Sequence, residues 1–259
     1  MRKLLIEASA TFGLVFFGTG ACVVDAVSGG RLGVVGVGLV WGVAVWALAA
    51  VSGAHMNPAV TFAAWRSGRL PAGDVAPYAA AQACGAFAAS IMLLVLFRER
   101  AGALGTTVPA AGLSVSFVLE FAMTFALVLA VLRLPGRHVP AAAGMIVALE
   151  AIFAGSLTGA SMNPVRSLAP ALVSGRLGGL WLYLLAPMLG GWAAAVVSSE
   201  QQLKAGDGED DGQQALDRRV RQPRAAEIGA HRPAGHGGEG QTPDDAWEAP
   251  RPAEISDQS

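Results

Sequence analysis

Long apolar runs separated by short polar segments dominate the first 199 residues of the chain. Six of these runs approach the roughly 20 residues that a helix needs to cross a bilayer. They cover residues 4–24, 32–51, 78–97, 113–132, 139–157 and 180–197. Three of the runs are free of charge, and the others carry one acid each, namely Glu7, Glu120 and Glu150. The pattern predicts an all-α membrane protein with six transmembrane helices.

Two shorter segments, 52-SGAHMNPAV-60 and 158-TGASMNPVR-166, follow the second and fifth runs. Each contains an asparagine, a good helix N-cap, directly before a proline, which is well tolerated at a first helical position. A helix of about ten residues is roughly 15 Å long, half of the hydrocarbon core. We therefore expect two re-entrant half-helices, which begin at the boxes Asn57, Pro58, Ala59 and Asn163, Pro164, Val165.

The chain also repeats itself. The segment 7-EASATF-12 matches 120-EFAMTF-125, the two Asn-Pro segments match each other, and 78-YAAAQACGAFAA-89 matches 183-YLLAPMLGGWAA-194. These matches predict two halves, about 1–98 and 112–199, with three spans each, and an odd number of spans inverts the second half. The half-helices then enter from opposite sides and meet near the midplane. Irregular backbone at that depth is tolerated only where it is buried or lines a water-filled cavity, so the repeat predicts a polar path.

Composition supports a membrane protein, with 53% apolar and only 14% charged residues. Residues 1–199 hold 11 basic and 6 acidic residues, a net charge of +5, whereas residues 200–259 hold 7 and 13, a net charge of −6. The second segment is rich in Gly, Pro and Gln and has few clustered apolar residues. We therefore expect a membrane domain over 1–199 and a disordered acidic tail over 200–259.

Basic residues in short flanking segments predict the orientation in the membrane. A cytoplasmic N-terminus puts seven of them inside and four outside. The inner set is Arg2, Lys3, Arg66, Arg69, Arg133, Arg137 and Lys204, and the outer set is Arg31, Arg98, Arg100 and Arg176. We expect a multi-pass protein of the inner or plasma membrane with both termini in the cytoplasm. Its surroundings are the lipid bilayer, and we expect no nucleic-acid partner.

Two Asn-Pro boxes in equivalent places of inverted halves, each preceded by Gly-Ala-x-Met, form a specific signature. Across residues 1–199 the sequence resembles the aquaporin or major intrinsic protein family. The resemblance implies a passive channel, in which Asn57 and Asn163 donate hydrogen bonds to the permeating molecule and the half-helix dipoles repel cations and protons. It also implies that Glu7 and Glu120 hold the re-entrant loops, and that the protein is a homotetramer with one pore per subunit.

The resemblance further implies an outer constriction. Arg166 matches the arginine of that constriction, and the motif spacing places its other positions at Val37, Ala151 and Ala160. Water-selective relatives usually have a large aromatic residue and a histidine at the first two positions. Neither is present here, so we expect a wide, mostly apolar constriction with Arg166 as its main polar group.

Positions outside the constriction give a mixed indication of the solute. Ser167 and Ala171 resemble the water-channel branch, whereas Tyr183 and Leu184 resemble the glycerol branch. The combination resembles a bacterial branch, shared with plants, that passes glycerol, urea and neutral metalloid acids such as arsenous and boric acid. A water-selective channel is the alternative.

His55 lies two residues before Asn57, and we expect it to be a structural or pore-lining residue. A proton-coupled transporter, with His55 or Glu150 carrying the proton, is a second alternative, because inverted repeats with broken helices also build transporters. An intramembrane enzyme lacks a suitable nucleophile, base and ligand set in this sequence. We expect no catalytic residue, cofactor or metal.

Overall fold

A computed structural model describes the backbone of residues 1–98 and 102–221 and the side chains of residues 1–98 and 102–200. The chain divides into a compact unit, Met1–Glu209, and a second unit, Asp210–Ser259, and the architecture that follows is that of the first. The helices are α1 (Arg2–Val27), α2 (Gly33–Ser52), α3 (Pro58–Arg66), α4 (Ala72–Phe97), α5 (Leu113–Arg133), α6 (Val139–Thr158), α7 (Pro164–Ser174) and α8 (Leu180–Arg221), with a short 3₁₀ helix at Gly136–His138 before α6.

Six of these helices are long and apolar enough to cross a membrane, and they coincide with the six predicted runs. The remaining two, α3 and α7, have 9 and 11 residues and are therefore too short to cross. Both follow a 20-residue helix that ends at a left-handed glycine, Gly53 (φ 63°) or Gly159 (φ 86°). The all-α arrangement of six spans and two half-helices is confirmed.

The two halves pack in the same way. Helix α1 packs on α4, and α2 packs on α6 across the boundary between the halves. Glycines permit the close approaches, as is common in membrane helices. A Cβ atom at Gly85 of α4 would lie 2.1 Å from the carbonyl oxygen of Ala8, and one at Gly190 of α8 would lie 2.4 Å from that of Phe121. The repeat is therefore visible in helix contacts as well as in sequence.

Two helix boundaries differ from the apolar runs. Helix α4 begins at Ala72 rather than at residue 78, so Asp74 lies in its first turn and Pro77 lies inside the helix. The apolar run begins later because it leaves out Asp74 and Pro77. Helix α8 continues to Arg221, beyond the apolar run and into the segment expected to be disordered. The rest of that segment, residues 222–259, lies outside the described residues, and its disorder stays a prediction.

Candidate pore at the meeting of the two half-helices

Each half-helix is capped by the asparagine of its box. The side-chain oxygen of Asn57 accepts a hydrogen bond from the backbone N–H of Ala59 at 2.9 Å. The side-chain oxygen of Asn163 accepts bonds from the N–H groups of Val165 at 3.2 Å and Arg166 at 3.4 Å. Pro58 and Pro164 occupy the first helical positions, where the missing N–H costs nothing. Each cap of this kind stabilises its helix by about 1 kcal/mol.

The same two asparagines tie the halves together. The amide nitrogen of Asn57 donates to the carbonyl oxygen of Met162 at 2.7 Å, and that of Asn163 donates to the carbonyl oxygen of Met56 at 2.8 Å. The N-termini of α3 and α7 therefore meet, and their positive dipole ends converge. A side-chain amide has two N–H groups, so each asparagine has a second N–H beside the one used in this contact.

The backbone before each asparagine is in the left-handed region, with φ 53° at Met56 and 52° at Met162. This conformation is unfavourable for a residue with a side chain and persists only where the surroundings fix it. It turns the methionine carbonyls toward the opposite asparagines. The two strained residues occupy equivalent positions in the halves. The strained conformation is therefore a repeated part of the contact between the two asparagines and the opposite methionine carbonyls.

Buried glutamates hold these strained loops. The carboxylate of Glu7, 2% exposed, accepts the N–H groups of His55 at 2.8 Å and Met56 at 3.0 Å. That of Glu120, fully buried, accepts the N–H groups of Ser161 and Met162, both at 2.8 Å. Hydrogen bonds to a charged acceptor contribute more than neutral ones, about 1.5–3 kcal/mol each.

A further polar side chain on each side completes the support. The amide of Gln82 in α4 donates to Glu7 at 2.8 Å and to the hydroxyl of Thr61 at 2.9 Å. The hydroxyl of Thr158 donates to Glu120 at 2.8 Å. Sequence reasoning missed Gln82, although a glutamine inside the uncharged apolar run 78–97 is the kind of buried polar residue that needs a partner.

A cavity of about 320 Å³ passes the meeting point of the half-helices. Most of its wall is apolar. The polar side chains that line it are those of Asn57, Asn163, Arg166, His55 and Ser161. It extends from the 3₁₀ segment and the start of α6, at Gly136, Val139 and Pro140, to Trp41, Ala160 and Arg166. The structure thus brings the asparagines of both boxes to one space with His55, Ala160 and Arg166, whereas Pro58, Ala59, Pro164 and Val165 are not among the residues that line it.

Arg166 is fixed at the edge of this cavity, with 3% of its surface exposed. Its terminal nitrogens donate to the carbonyl oxygens of Gly105 at 3.0 Å and Gly159 at 3.3 Å. The guanidinium carbon lies 4.7 Å from the centroid of the Trp41 ring, within the range of a cation–π contact. Two backbone acceptors and one aromatic face therefore determine where the guanidinium points.

The other expected constriction residues are divided. Ala160 lines the cavity and has a left-handed backbone, φ 42°. Val37 and Ala151 belong to the same apolar core but are not among the residues that line the cavity. Trp41 has the largest side chain of the described residues that line it. Sequence reasoning missed Trp41, although it lies one helical turn after Val37 on the same face of α2.

His55 lines the cavity and is half-buried. Its ring nitrogen Nδ1 lies 3.1 Å from the hydroxyl of Thr61, and its ring is 5.6 Å from that of Tyr78. The sequence left open whether His55 is structural or pore-lining. In the structure it both contacts Thr61, which belongs to the polar network around Glu7, and lines the cavity.

Comparison with known proteins adds to this geometry. Residues 1–198 match the family model described as "Major intrinsic protein". The chain is 39% identical over 205 residues to Aquaporin NIP1-4 of Oryza sativa subsp. japonica, covering 75% of each protein. It is also 39% identical over 207 residues to Nodulin-26 of Glycine max, covering 76% of each. Both of these relatives are plant proteins, so the bacterial branch expected from the sequence is not supported.

The fold also resembles a solved structure, the X-ray structure of the aquaglyceroporin from Plasmodium falciparum. The TM-score is 0.69 at 24% identity, and the match covers 76% of this chain and 95% of the other. That likeness concerns the arrangement of helices. Taken with the paired boxes and the family match over 1–198, it leads to one conclusion: this chain belongs to the major intrinsic protein family, whose members are channels and not enzymes.

Proposed function

We propose that this channel passes small neutral solutes larger than water, such as glycerol, urea and the metalloid acids, together with water, and that it excludes ions and protons. As a member of its family the chain is a channel for water and small neutral solutes. Solutes cross the membrane through the cavity between α3 and α7, and the dimensions and chemistry of that cavity decide which solutes pass. The single observation that carries it is the convergence of Asn57, Asn163 and Arg166 on that cavity.

The charge and polarity of the wall support neutral solutes over ions. A bare ion in a mostly apolar passage loses hydration that is worth several kcal/mol or more, whereas an unmet hydrogen bond of a neutral solute costs about 1–3 kcal/mol. The second amide N–H groups of Asn57 and Asn163 offset the smaller cost. The positive ends of both half-helices and the charge of Arg166 add a barrier for cations and protons.

The wall of the cavity supports solutes that carry carbon as well as hydroxyl groups. The cavity has a volume of about 320 Å³, and most of its lining side chains are apolar. Its apolar wall can contact the carbon side of a polyol, while the asparagines and Arg166 take the hydroxyl groups.

We further propose that the protein is a homotetramer of the inner or plasma membrane with both termini in the cytoplasm. The surface of the membrane spans supports an apolar environment, because large side chains such as Val51, Phe153 and Met145 are more than half exposed. The excess of basic residues on one side supports the orientation. Cross-linking in native-like nanodiscs and protease access to terminal tags test the two parts separately.

The experiment for the solute is stopped-flow light scattering of proteoliposomes containing the purified chain. Water, glycerol, urea, boric acid and arsenous acid are presented in turn, with empty liposomes as the control, and an internal pH dye follows protons in the same vesicles. We expect faster flux of water and of at least one larger solute, with no change on adding a protonophore. Flux of water alone would contradict the proposed solutes, and flux that depends on the proton gradient would indicate a transporter.

A further inference from the structure

A groove separate from the cavity lies on the outside of the helix bundle, between α1 and α2. Its volume is about 340 Å³. Arg2, Leu5 and Ser9 of α1 line one side, and Val51 and Ser52 of α2 line the other. No described residue lines both this groove and the cavity between the half-helices. Because α1 begins and α2 ends here, the groove lies at the membrane face where the chain begins.

The wall of the groove is apolar and exposed. Leu5 and Val51 have 69% and 90% of their surface exposed. Both helices are long and apolar enough to cross a membrane, so these side chains face lipid. A hydrocarbon chain that lies in the groove contacts α1 and α2 together. The wall therefore suits the acyl chain of a lipid.

The rim of the groove is basic. Arg2 lines it and Lys3 follows in the sequence, and both side chains are exposed. The first turn of α1 contains no acid. The first acid of the chain, Glu7, is 2% exposed and accepts the backbone N–H of His55, so it points away from the rim. Basic side chains at the end of a span extend to the level of the headgroups, where they attract phosphate.

A hydroxyl group lies deeper in the same groove. Ser9 is exposed and comes seven residues after Arg2, which is about 10 Å along the helix at 1.5 Å per residue. A phospholipid carries a charged phosphate, ester oxygens that accept hydrogen bonds, and hydrocarbon chains. The groove offers a partner to each of these groups in its basic rim, its hydroxyl and its apolar wall.

The floor of the groove leads to the loop of residues 53–57, which precedes α3. Ala10 and Leu48 line the groove and belong to the same apolar cluster as Met56. The hydroxyl of Ser52, at the edge of the groove, accepts a backbone N–H of that loop at 3.1 Å. A molecule held between α1 and α2 at this place therefore restrains the helix end from which the loop extends.

We propose that this groove binds an anionic phospholipid from the leaflet at the N-terminal end of α1, with its phosphate at Arg2 and Lys3 and an acyl chain against Leu5 and Val51. That leaflet is cytoplasmic in the orientation proposed above. The bound lipid joins α1 to α2 and slows the opening of the loop 53–57. The inference concerns a lipid-facing surface and is independent of which solute the channel passes.

Binding is tested by native mass spectrometry of the full chain in detergent, with phosphatidylglycerol and phosphatidylcholine of the same acyl chains. We expect phosphatidylglycerol to bind at least about fivefold more tightly, which is the effect of one basic residue near an anionic surface. We expect Arg2→Gln with Lys3→Gln to reduce this preference to less than about twofold. Arg31→Gln is the matched control, because Arg31 is exposed between the opposite ends of the same helices. A double variant that keeps the preference of the unaltered chain overturns the proposal.

A photochemical label locates the lipid without removing a charge. A diazirine analogue of leucine replaces Leu5 or, as the control, Leu39, which is 52% exposed on α2 and does not line the groove. In vesicles that contain both lipids, we expect the label at Leu5 to capture phosphatidylglycerol at least about threefold above its share of the bilayer, and the label at Leu39 to capture it in proportion. Capture in proportion at both positions, or capture of a second copy of the chain at Leu5, would contradict a lipid site.

Hydrogen exchange tests the link to the loop. We expect phosphatidylglycerol, compared with phosphatidylcholine, to slow amide exchange in the loop 53–57 by at least about threefold in the unaltered chain and not in the double variant. Binding without slower exchange would overturn the effect of the lipid on the loop.

Discussion

At the scale of single residues, the centre of the molecule depends on a few buried polar groups that restrain an unfavourable backbone. Met56 and Met162 are left-handed, and Glu7 and Glu120 accept their N–H groups. The methionine carbonyls then accept from the opposite asparagines. Removing one acceptor therefore affects both the loop that it holds and the cap of the other half.

We predict that Glu120→Gln destabilises the protein by about 2–4 kcal/mol, because an amide NH₂ replaces one carboxylate oxygen opposite three donors. Glu150→Gln is the matched control. It changes an acid on the neighbouring helix α6 whose oxygen Oε2 has no hydrogen-bond partner among the described residues. The difference is checked by thermal unfolding in detergent, followed by tryptophan fluorescence or by a dye that becomes fluorescent when it reacts with exposed cysteine thiols. Equal melting temperatures for the two variants would show that Glu120 does not hold the loop.

Arg166 gives a second prediction at this scale. Arg166→Val removes the fixed charge and introduces the residue type found at the related position of the first half, Val60. We expect proton or cation leak to rise, and the half-helix dipoles to keep the rise small. Pyranine fluorescence in proteoliposomes measures the leak beside the glycerol flux. If neither the leak nor the order of solutes changes, Arg166 does not face the permeation path.

The sequence singles out Asn57 and Asn163 more clearly than it singles out the residues around Arg166. Asn57 and Asn163 stand out because their local motif occurs twice, and capping is a property of neighbouring residues. The Trp41–Arg166 contact depends instead on Gly18 of another helix and on the carbonyl of Gly105 in a loop. Counting back from Asn57 identifies Val37 as a constriction position. Packing between helices, however, decides which turn of α2 reaches the cavity.

At the scale of elements, two helices within each half pack closely against each other at a glycine, and the two glycines lie at corresponding positions. Gly85 lets α4 approach α1, and Gly190 lets α8 approach α5, each against a backbone carbonyl. Backbone cannot move aside as a side-chain end can. Helix existence and approximate length follow from the apolar runs, because burial in lipid needs about 20 apolar residues. The start of α4 did not follow from them, because its first turn contains the charged Asp74.

We predict that Gly85→Val prevents normal packing of α4 on α1 and strongly lowers the yield of folded protein in the membrane. Gly73→Val is the control on the same helix, since a Cβ atom there meets no atom within 4 Å. Fluorescence-detected size-exclusion chromatography of the solubilised variants compares the two. A Gly85→Val protein with the elution profile and yield of Gly73→Val would contradict the close contact.

At the scale of the whole molecule, the membrane unit and the C-terminal unit are separable in the chain. The unit Met1–Glu209 contains both boxes, Glu7 and Glu120, and all the described residues that line the cavity. We predict that a stop after Glu209 leaves insertion and solute flux intact, because every described lining residue comes before it. Flux per inserted protein, normalised by quantitative blotting, measures this. Loss of flux in a normally inserted truncated protein would assign the tail a role in conduction.

The central claim is that solutes cross the cavity between the half-helices, and thiol modification tests it most directly. Val147→Cys and Leu149→Cys are made in a Cys22→Ser, Cys84→Ser background. Val147 lines the cavity on α6, whereas Leu149 on the same helix is 59% exposed on the outer surface. Both are treated with a small neutral methanethiosulfonate, and labelling is verified by intact mass.

We predict that the label on Val147→Cys lowers water and glycerol flux by at least about tenfold, because the added group fills the path, a change equivalent to about 1.4 kcal/mol. The label on Leu149→Cys changes flux by less than about twofold. Complete labelling of Val147→Cys with undiminished flux of both solutes would contradict the account.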